Sequence, residues 1–123
     1  MSVITSIRLG NRDLALTISP RARSALARAK DSFYIEMELY FSCLLRKRVN
    51  FLGVQRAGAV ATAPLSEHVR VYFRPVMTRS CAVSDSDDQP ELEAFPLKRA
   101  EAFTPRWLTI DFRAGKWSGD FGY

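Results

Sequence analysis

FYIEMELYFSCLL, from Phe33 to Leu45, is the stretch that decides how this chain folds. Ile35, Met37, Leu39, Phe41, Cys43 and Leu45 fall on one phase of a two-residue repeat, and Glu36, Glu38, Tyr40, Ser42 and Leu44 on the other. A repeat of two belongs to a β-strand, whose successive side chains point to opposite faces. The stretch therefore predicts a long strand with one face in the core. Cys43 is in register with that apolar face, and cysteine is among the most buried residue types, so its plain role is packing.

Toward the N-terminus, Val3–Leu9 and Leu14–Ile18 read as two short strands around Gly10-Asn-Arg-Asp13, whose residue types favour a turn, which predicts an opening hairpin. Ser19-Pro20 is a helix start: the serine hydroxyl accepts from a first-turn amide, and proline at the first helical position has no amide to lose. Ala22, Ala25, Leu26 and Ala29 then recur at helical spacing, giving a short amphipathic helix with a thin apolar stripe that ends near Asp31-Ser32.

Toward the C-terminus, Arg46-Lys-Arg48 interrupts the long strand, and Val49–Leu52 is a continuation or a return strand before Gly53. Gly58–Pro64 reads as a loop or weak hairpin. From Glu67 to Arg74 the alternation returns, with Val69, Val71 and Phe73 inward and Arg70, Tyr72 and Arg74 outward, and Pro75 limits its pairing. The acidic Ser84–Asp88 segment reads as a surface loop, and Leu92–Phe103 is ambiguous between a short helix and irregular chain. Arg106–Phe112 is a strand that Ala114-Gly115 turns toward Trp117–Phe121. The expectation is a single α+β domain over residues 1–123, with a mostly antiparallel sheet and one short N-terminal amphipathic helix.

A chain of 123 residues with 47% hydrophobic and 25% charged residues is long enough for one core and has ordinary globular composition. Two cysteines far apart do not make a disulfide framework, which points to a reduced, cytoplasmic setting. The first residues carry no signal-peptide pattern, and no window approaches 18 apolar residues, so neither a spanning helix nor a membrane partner is expected. The net charge of +5 permits a polyanionic partner without requiring one. Basic residues concentrate between Arg21 and Arg79, and acidic ones from Asp85 to Glu93.

Familiar catalytic signatures are absent: the one histidine, His68, has no nucleophile near it in sequence, and there is no phosphate-binding glycine loop or nucleophile elbow. Glu36 and Glu38 lie two apart on one strand face, about 7 Å from each other, a spacing that suits a solvated pair answered by Arg70 or Arg74 across the sheet, or a hard-cation site. Asp85, Asp87 and Asp88 resemble part of a calcium loop but lack its glycine and distal glutamate. Arg46, Lys47 and Arg48 form one basic cluster. Arg70, Tyr72 and Arg74 interleave an aromatic with two cations, the arrangement of a strand on which a base stacks while arginines hold phosphates.

Leu14-Ala-Leu-Thr-Ile-Ser-Pro-Arg-Ala22, a short helix, a strand reaching the Ser42-Cys43 step, and Leu108-Thr-Ile-Asp-Phe112 followed by Ser118-Gly-Asp-Phe121 together resemble the A-type iron-sulfur carrier, or HesB-like, domain. In that family a strand precedes a helix starting near Ser-Pro or Thr-Pro, the next strand leads to a Gly-Cys-Ser-Gly turn, and an Ile-Asp-Tyr strand runs into a Gly-Phe segment. The resemblance implies a cluster-ligand position at Cys43. Ser42 and Leu44 stand where the family has glycines, the C-terminal Cys-Gly-Cys pair has no counterpart, and Cys81 matches no ligand. Iron-sulfur clusters generally take four thiolate-type ligands. The resemblance thus implies a fold relative that has lost the carrier chemistry, or one that uses Cys43 at a symmetric interface.

These readings converge on a small soluble non-catalytic domain acting through protein contacts, with no cofactor. The alternatives are a nucleic-acid or polyanion-binding module built on Arg46, Lys47, Arg48, Arg70, Tyr72 and Arg74, and metal or iron-sulfur binding through Cys43. Trp107, Trp117, Phe121 and Tyr123 are expected to cap the core or to form a homodimer contact.

Overall fold

The computed structural model describes residues 3–41, 46–78, 92–94 and 103–123. Strands β1 (Val3–Leu9) and β2 (Arg12–Ile18) pair antiparallel as the expected hairpin. Its turn places Gly10 at φ +63°, a left-handed conformation that glycine adopts without the Cβ penalty of other residues. Helix α1 (Pro20–Arg28) follows, with the Ser19 hydroxyl accepting from the Ala22 amide at 3.1 Å. Its stripe is thin: Ala22 and Ala25 are its buried residues, and they let the helix pack closely on the end of β8 (Trp107–Arg113).

The long alternating stretch becomes β3 (Phe33–Phe41), and Arg46-Lys-Arg48, expected to interrupt it, instead opens the return strand β4 (Arg46–Leu52). Strands β5 (Ala61–Pro64) and β6 (Val69–Thr78) make another hairpin, and β7 (Leu92–Ala94) pairs with the far end of β6. Pro75 does not end β6. It falls where β5 has finished opposite Phe73 and β7 begins opposite Val76, a gap in which a missing amide costs least on that side. Strand β8 turns through Ala114 (φ +52°) and Gly115 (φ +78°) into β9 (Lys116–Gly122).

Among the described residues two mixed sheets and one helix result, in line with an α+β architecture in which strands dominate. The first sheet runs β1-β2-β8-β9 and the second β4-β3-β6-β5. Among the described residues five of the seven strand pairs are antiparallel, and the other two, β2 with β8 and β3 with β6, are parallel and lie at the middle of each sheet. The sequence pattern predicts a single, mostly antiparallel sheet; most pairs are antiparallel, but the strands divide between two sheets.

The sheets face one another around one apolar cluster in which Leu14, Leu16, Leu108, Ile110 and Phe121 meet Ile35, Met37, Leu39, Val71 and Phe73. Strand β4 lies beside β9 at one margin and β1 beside β5 at the other. One end is filled by Trp117, whose ring lies 4.6, 5.2 and 5.5 Å from those of Phe112, Phe33 and Phe51. The four aromatics read together from the sequence thus divide. Trp117 joins this end cluster, Trp107 covers Gly122, Phe121 is core, and Tyr123 is half exposed with its ring against Phe121. Among the described residues no helix is long and apolar enough to cross a membrane.

Candidate functional site

The face of β3 that turns away from the core carries Glu36 and Glu38. Strand pairing fixes what stands beside them: Asn50 of β4 and Tyr72 of β6 flank Glu36, and Arg48 and Arg74 flank Glu38. Alternation put Glu36, Glu38, Tyr72 and Arg74 outward, as expected, but outward is not solvated. The segment between β4 and β5 crosses this face and inserts Arg56, and both carboxylates are buried.

Glu36, with no exposed side-chain surface, accepts four hydrogen bonds. Its Oε1 accepts from Asn50 Nδ2 at 2.6 Å and from an Arg56 terminal nitrogen, and its Oε2 from the Tyr72 hydroxyl at 2.7 Å and Arg56 Nε at 3.1 Å. Glu38 accepts from an Arg74 terminal nitrogen at 2.9 Å and from Asn50 at 3.4 Å, with Arg56 3.6 Å away. Two carboxylates thus meet two guanidiniums, and the cluster is neutral as a whole. That balance is what permits burial, because an unpaired charge in this position would carry a desolvation penalty of several kcal/mol.

Burial alone would push the Glu36 carboxyl up, but the hydrogen bonds from Arg56, Asn50 and Tyr72 outweigh it and hold the pKa below the ordinary value. The same carboxylate stabilises the Arg56 cation, whose pKa is raised chiefly by the hydrogen bond to Glu36. Burial, followed by the bond to Glu36, pushes the Tyr72 phenol up to about 12. A carboxylate with every strong acceptor position filled is a poor base, and a phenol held neutral is a donor and no nucleophile. The arrangement is chemically a lock. It ties β3, β4, β6 and the Arg56 segment together.

The six basic-set residues separate. Arg46, Arg48 and Arg70 are exposed, with Arg70 donating to Thr62 at 3.3 Å. Arg74 is mostly covered and donates to the Ala57 carbonyl at 2.8 Å as well as to Glu38. Tyr72, expected to offer its ring as a stacking platform, is buried instead, because its hydroxyl is drawn to Glu36 and the Arg56 segment lies over it. Lys47 points to the other face. Its ammonium donates to the Phe121 carbonyl at 2.7 Å, 5.6 Å from the Trp107 ring. Arg56, the residue that sequence reasoning missed, stands between Gly53 and Gly58 in a segment without periodicity. The available signal was the carboxylate pair, which needs cations once its face is covered.

A second polar cluster lies on the first sheet. Asp111 of β8 accepts from the Ser19 hydroxyl at 2.6 Å, from Arg21 at 3.0 Å and from the Phe112 amide at 2.8 Å, and these bonds, that from Ser19 foremost, lower its pKa to about 2. It borders an open cleft of about 440 Å³ lined by Thr17, Ser19, Arg21, Thr109 and Ser118. The Ser19 hydroxyl donates to Asp111 while accepting from the Ala22 amide, so this is a cap joining α1 to β8.

His68 and Glu67 form an exposed pair 3.9 Å apart. Cys43, Cys81, Asp85, Asp87 and Asp88 lie outside the described residues. Among the described residues no group of three His, Cys, Asp or Glu side chains is placed to hold a metal. Comparison of the chain with protein-family models, with curated proteins and with solved structures returned no match.

Proposed function

We propose that this protein is a small non-catalytic domain that acts through contacts with other proteins. The observation that supports this most is the saturation of the Glu36 carboxylate: the residue with the most acid-base promise already accepts from Arg56, Asn50 and Tyr72. Its role is then structural, and so are those of its neighbours. The test is to compare Glu36→Gln and Asp111→Asn with the wild type for cellular activity and for folded fraction. Activity that tracks folded fraction supports the reading, whereas a folded Glu36→Gln chain with activity abolished would overturn it.

A second reading, a module for nucleic acid or another polyanion, is favoured by the exposure of Arg46, Arg48 and Arg70. It narrows the sequence-derived set to those three, since Lys47, Tyr72 and Arg74 are engaged elsewhere. Phosphate contacts release counterions, so oligonucleotide binding must weaken steeply between low and moderate salt and must fall in Arg46→Ser/Arg48→Ser. Binding indifferent to both would remove the reading. Descent from a HesB-like carrier that has lost its ligands is part of the first proposal and rests on the residues quoted above. Anaerobic reconstitution that yields a visible chromophore in the wild type and none in Cys43→Ala would show instead that cluster chemistry is retained.

A further inference from the structure

We propose that residues 53–59 form a strap that opens as a local unit over the outer face of the second sheet, with Arg56 as its latch. Three observations carry this. First, the strap lacks an apolar anchor of its own: Gly53 through Gly58 are all exposed, and Val54, its one large apolar residue, keeps 68% of its surface in water. Second, among the described residues its attachments are polar and come from side chains. The Arg56 amide donates to the Tyr72 hydroxyl at 3.0 Å, the Ala57 carbonyl accepts from Arg74 Nε at 2.8 Å, and the Arg56 guanidinium enters the carboxylate pair. The next backbone-to-backbone bond is at Val60, whose amide donates to the Phe73 carbonyl at 3.0 Å, where the chain rejoins the sheet.

Third, all three attachments depend on the same two carboxylates. Tyr72 and Arg74 are themselves oriented by Glu36 and Glu38. A segment held at one polar locus, with little apolar area of its own and only the Tyr72 ring beneath it, opens without disturbing the core, unlike strands that share buried apolar surface. Gly58 at φ +103° supplies a backbone conformation that only glycine tolerates at the strap's far end. Opening would uncover Glu36, Glu38 and the Tyr72 hydroxyl, an acidic surface on a chain of net charge +5.

The inference concerns motion and stands whether or not the non-catalytic reading holds. Its test is hydrogen exchange of the full chain resolved by residue, with the Arg56 amide as reporter and paired amides of β3 and β6 as reference, across low denaturant concentrations. A local opening gives a residue-56 amide that exchanges well above the reference and is almost insensitive to denaturant, because little surface is exposed. Arg56→Ala keeps that amide and removes the latch. It should speed exchange there by about tenfold or more, the effect of losing hydrogen bonds to a charged group, with the flat denaturant dependence kept. Arg56→Lys should fall between the two, and Val54→Ala should change nothing. A residue-56 amide that exchanges only with the denaturant dependence of the core, or at the wild-type rate in Arg56→Ala, would overturn the proposal.

Discussion

Replacing Glu36 with glutamine keeps its shape and removes its charge, which makes it the sharpest probe of the buried cluster. The carboxylate accepts from Tyr72, Asn50 and twice from Arg56 with no exposed surface of its own. Hydrogen bonds to a charged group are worth about 1.5–3 kcal/mol each and are not additive, and breaking one partner of a buried pair costs about 3–5 kcal/mol. Part of that is recoverable, because Arg56 is 43% exposed and can turn toward water, while the buried Tyr72 hydroxyl cannot. The expected loss is therefore about 3 kcal/mol. In urea, followed by Trp107 and Trp117 fluorescence, it should lower the midpoint by about 1–3 M at the slope usual for small domains. A loss below about 1 kcal/mol is what an exposed ion pair gives, and it would refute the claim that the cluster is dry and mutually dependent. Acid should reproduce the effect in wild type. Because the folded pKa of Glu36 lies below its ordinary value of 4.5, its contribution is complete above that value and is lost as pH falls through the lower folded one.

Alkali should act on Tyr72 with the opposite sign: its pKa rises from 10.0 to about 12, so its contribution is complete below pH 10.0 and is lost between there and about 12. Tyr123 titrates in the same range, and a Tyr72→Phe chain whose alkaline stability falls as steeply as wild type would assign the loss to Tyr123. Ser19→Ala removes both the α1 cap and the link to Asp111 and should cost about 1 kcal/mol by thermal unfolding, the usual value for a lost N-cap; no measurable change would mean that the cap is redundant. Ala114→Gly should stabilise by about 0.5–1 kcal/mol, because Ala114 sits at φ +52° where a Cβ is penalised, and a destabilised variant would contradict that conformation.

Features set by neighbours in sequence were legible: the Gly10 turn, the Ser19-Pro20 helix start, and the alternation of β3, β6 and β8. Three others depend on partners that a strand's own pattern does not contain. The direction of pairing is one, since β2 and β8 read the same whether they run parallel or antiparallel. Strand β4 is another. Three successive cations look like an interruption, but on an edge strand they suit a position that must resist further pairing, and Lys47 also covers a β9 carbonyl. The third is the fate of Glu36. Period two assigns a residue to a face, and whether that face is wet depends on a segment folding over it. The same uncertainty attached to Tyr72, whose outward position was right and whose exposure was not.

The central parallel seams bear on how the chain reaches this structure. Among the described residues each sheet is built on two hairpins, β1-β2 with β8-β9 and β3-β4 with β5-β6, the second sheet also carrying β7 on β6, and each hairpin closes locally. The seams join partners as remote as Ala15 with Trp107, a separation of 92 positions, and Phe33 with Val69, a separation of 36. Loop-closure entropy must be overcome before such contacts give any return, and folding slows as mean contact separation grows, into milliseconds to seconds for sandwiches of this kind. Hairpins that form early must wait for their counterparts, with the parallel-facing edges of β2 and β3 unpaired in the meantime. For this chain, the stage expected to be slow and aggregation-exposed is the joining of hairpins across the two parallel seams.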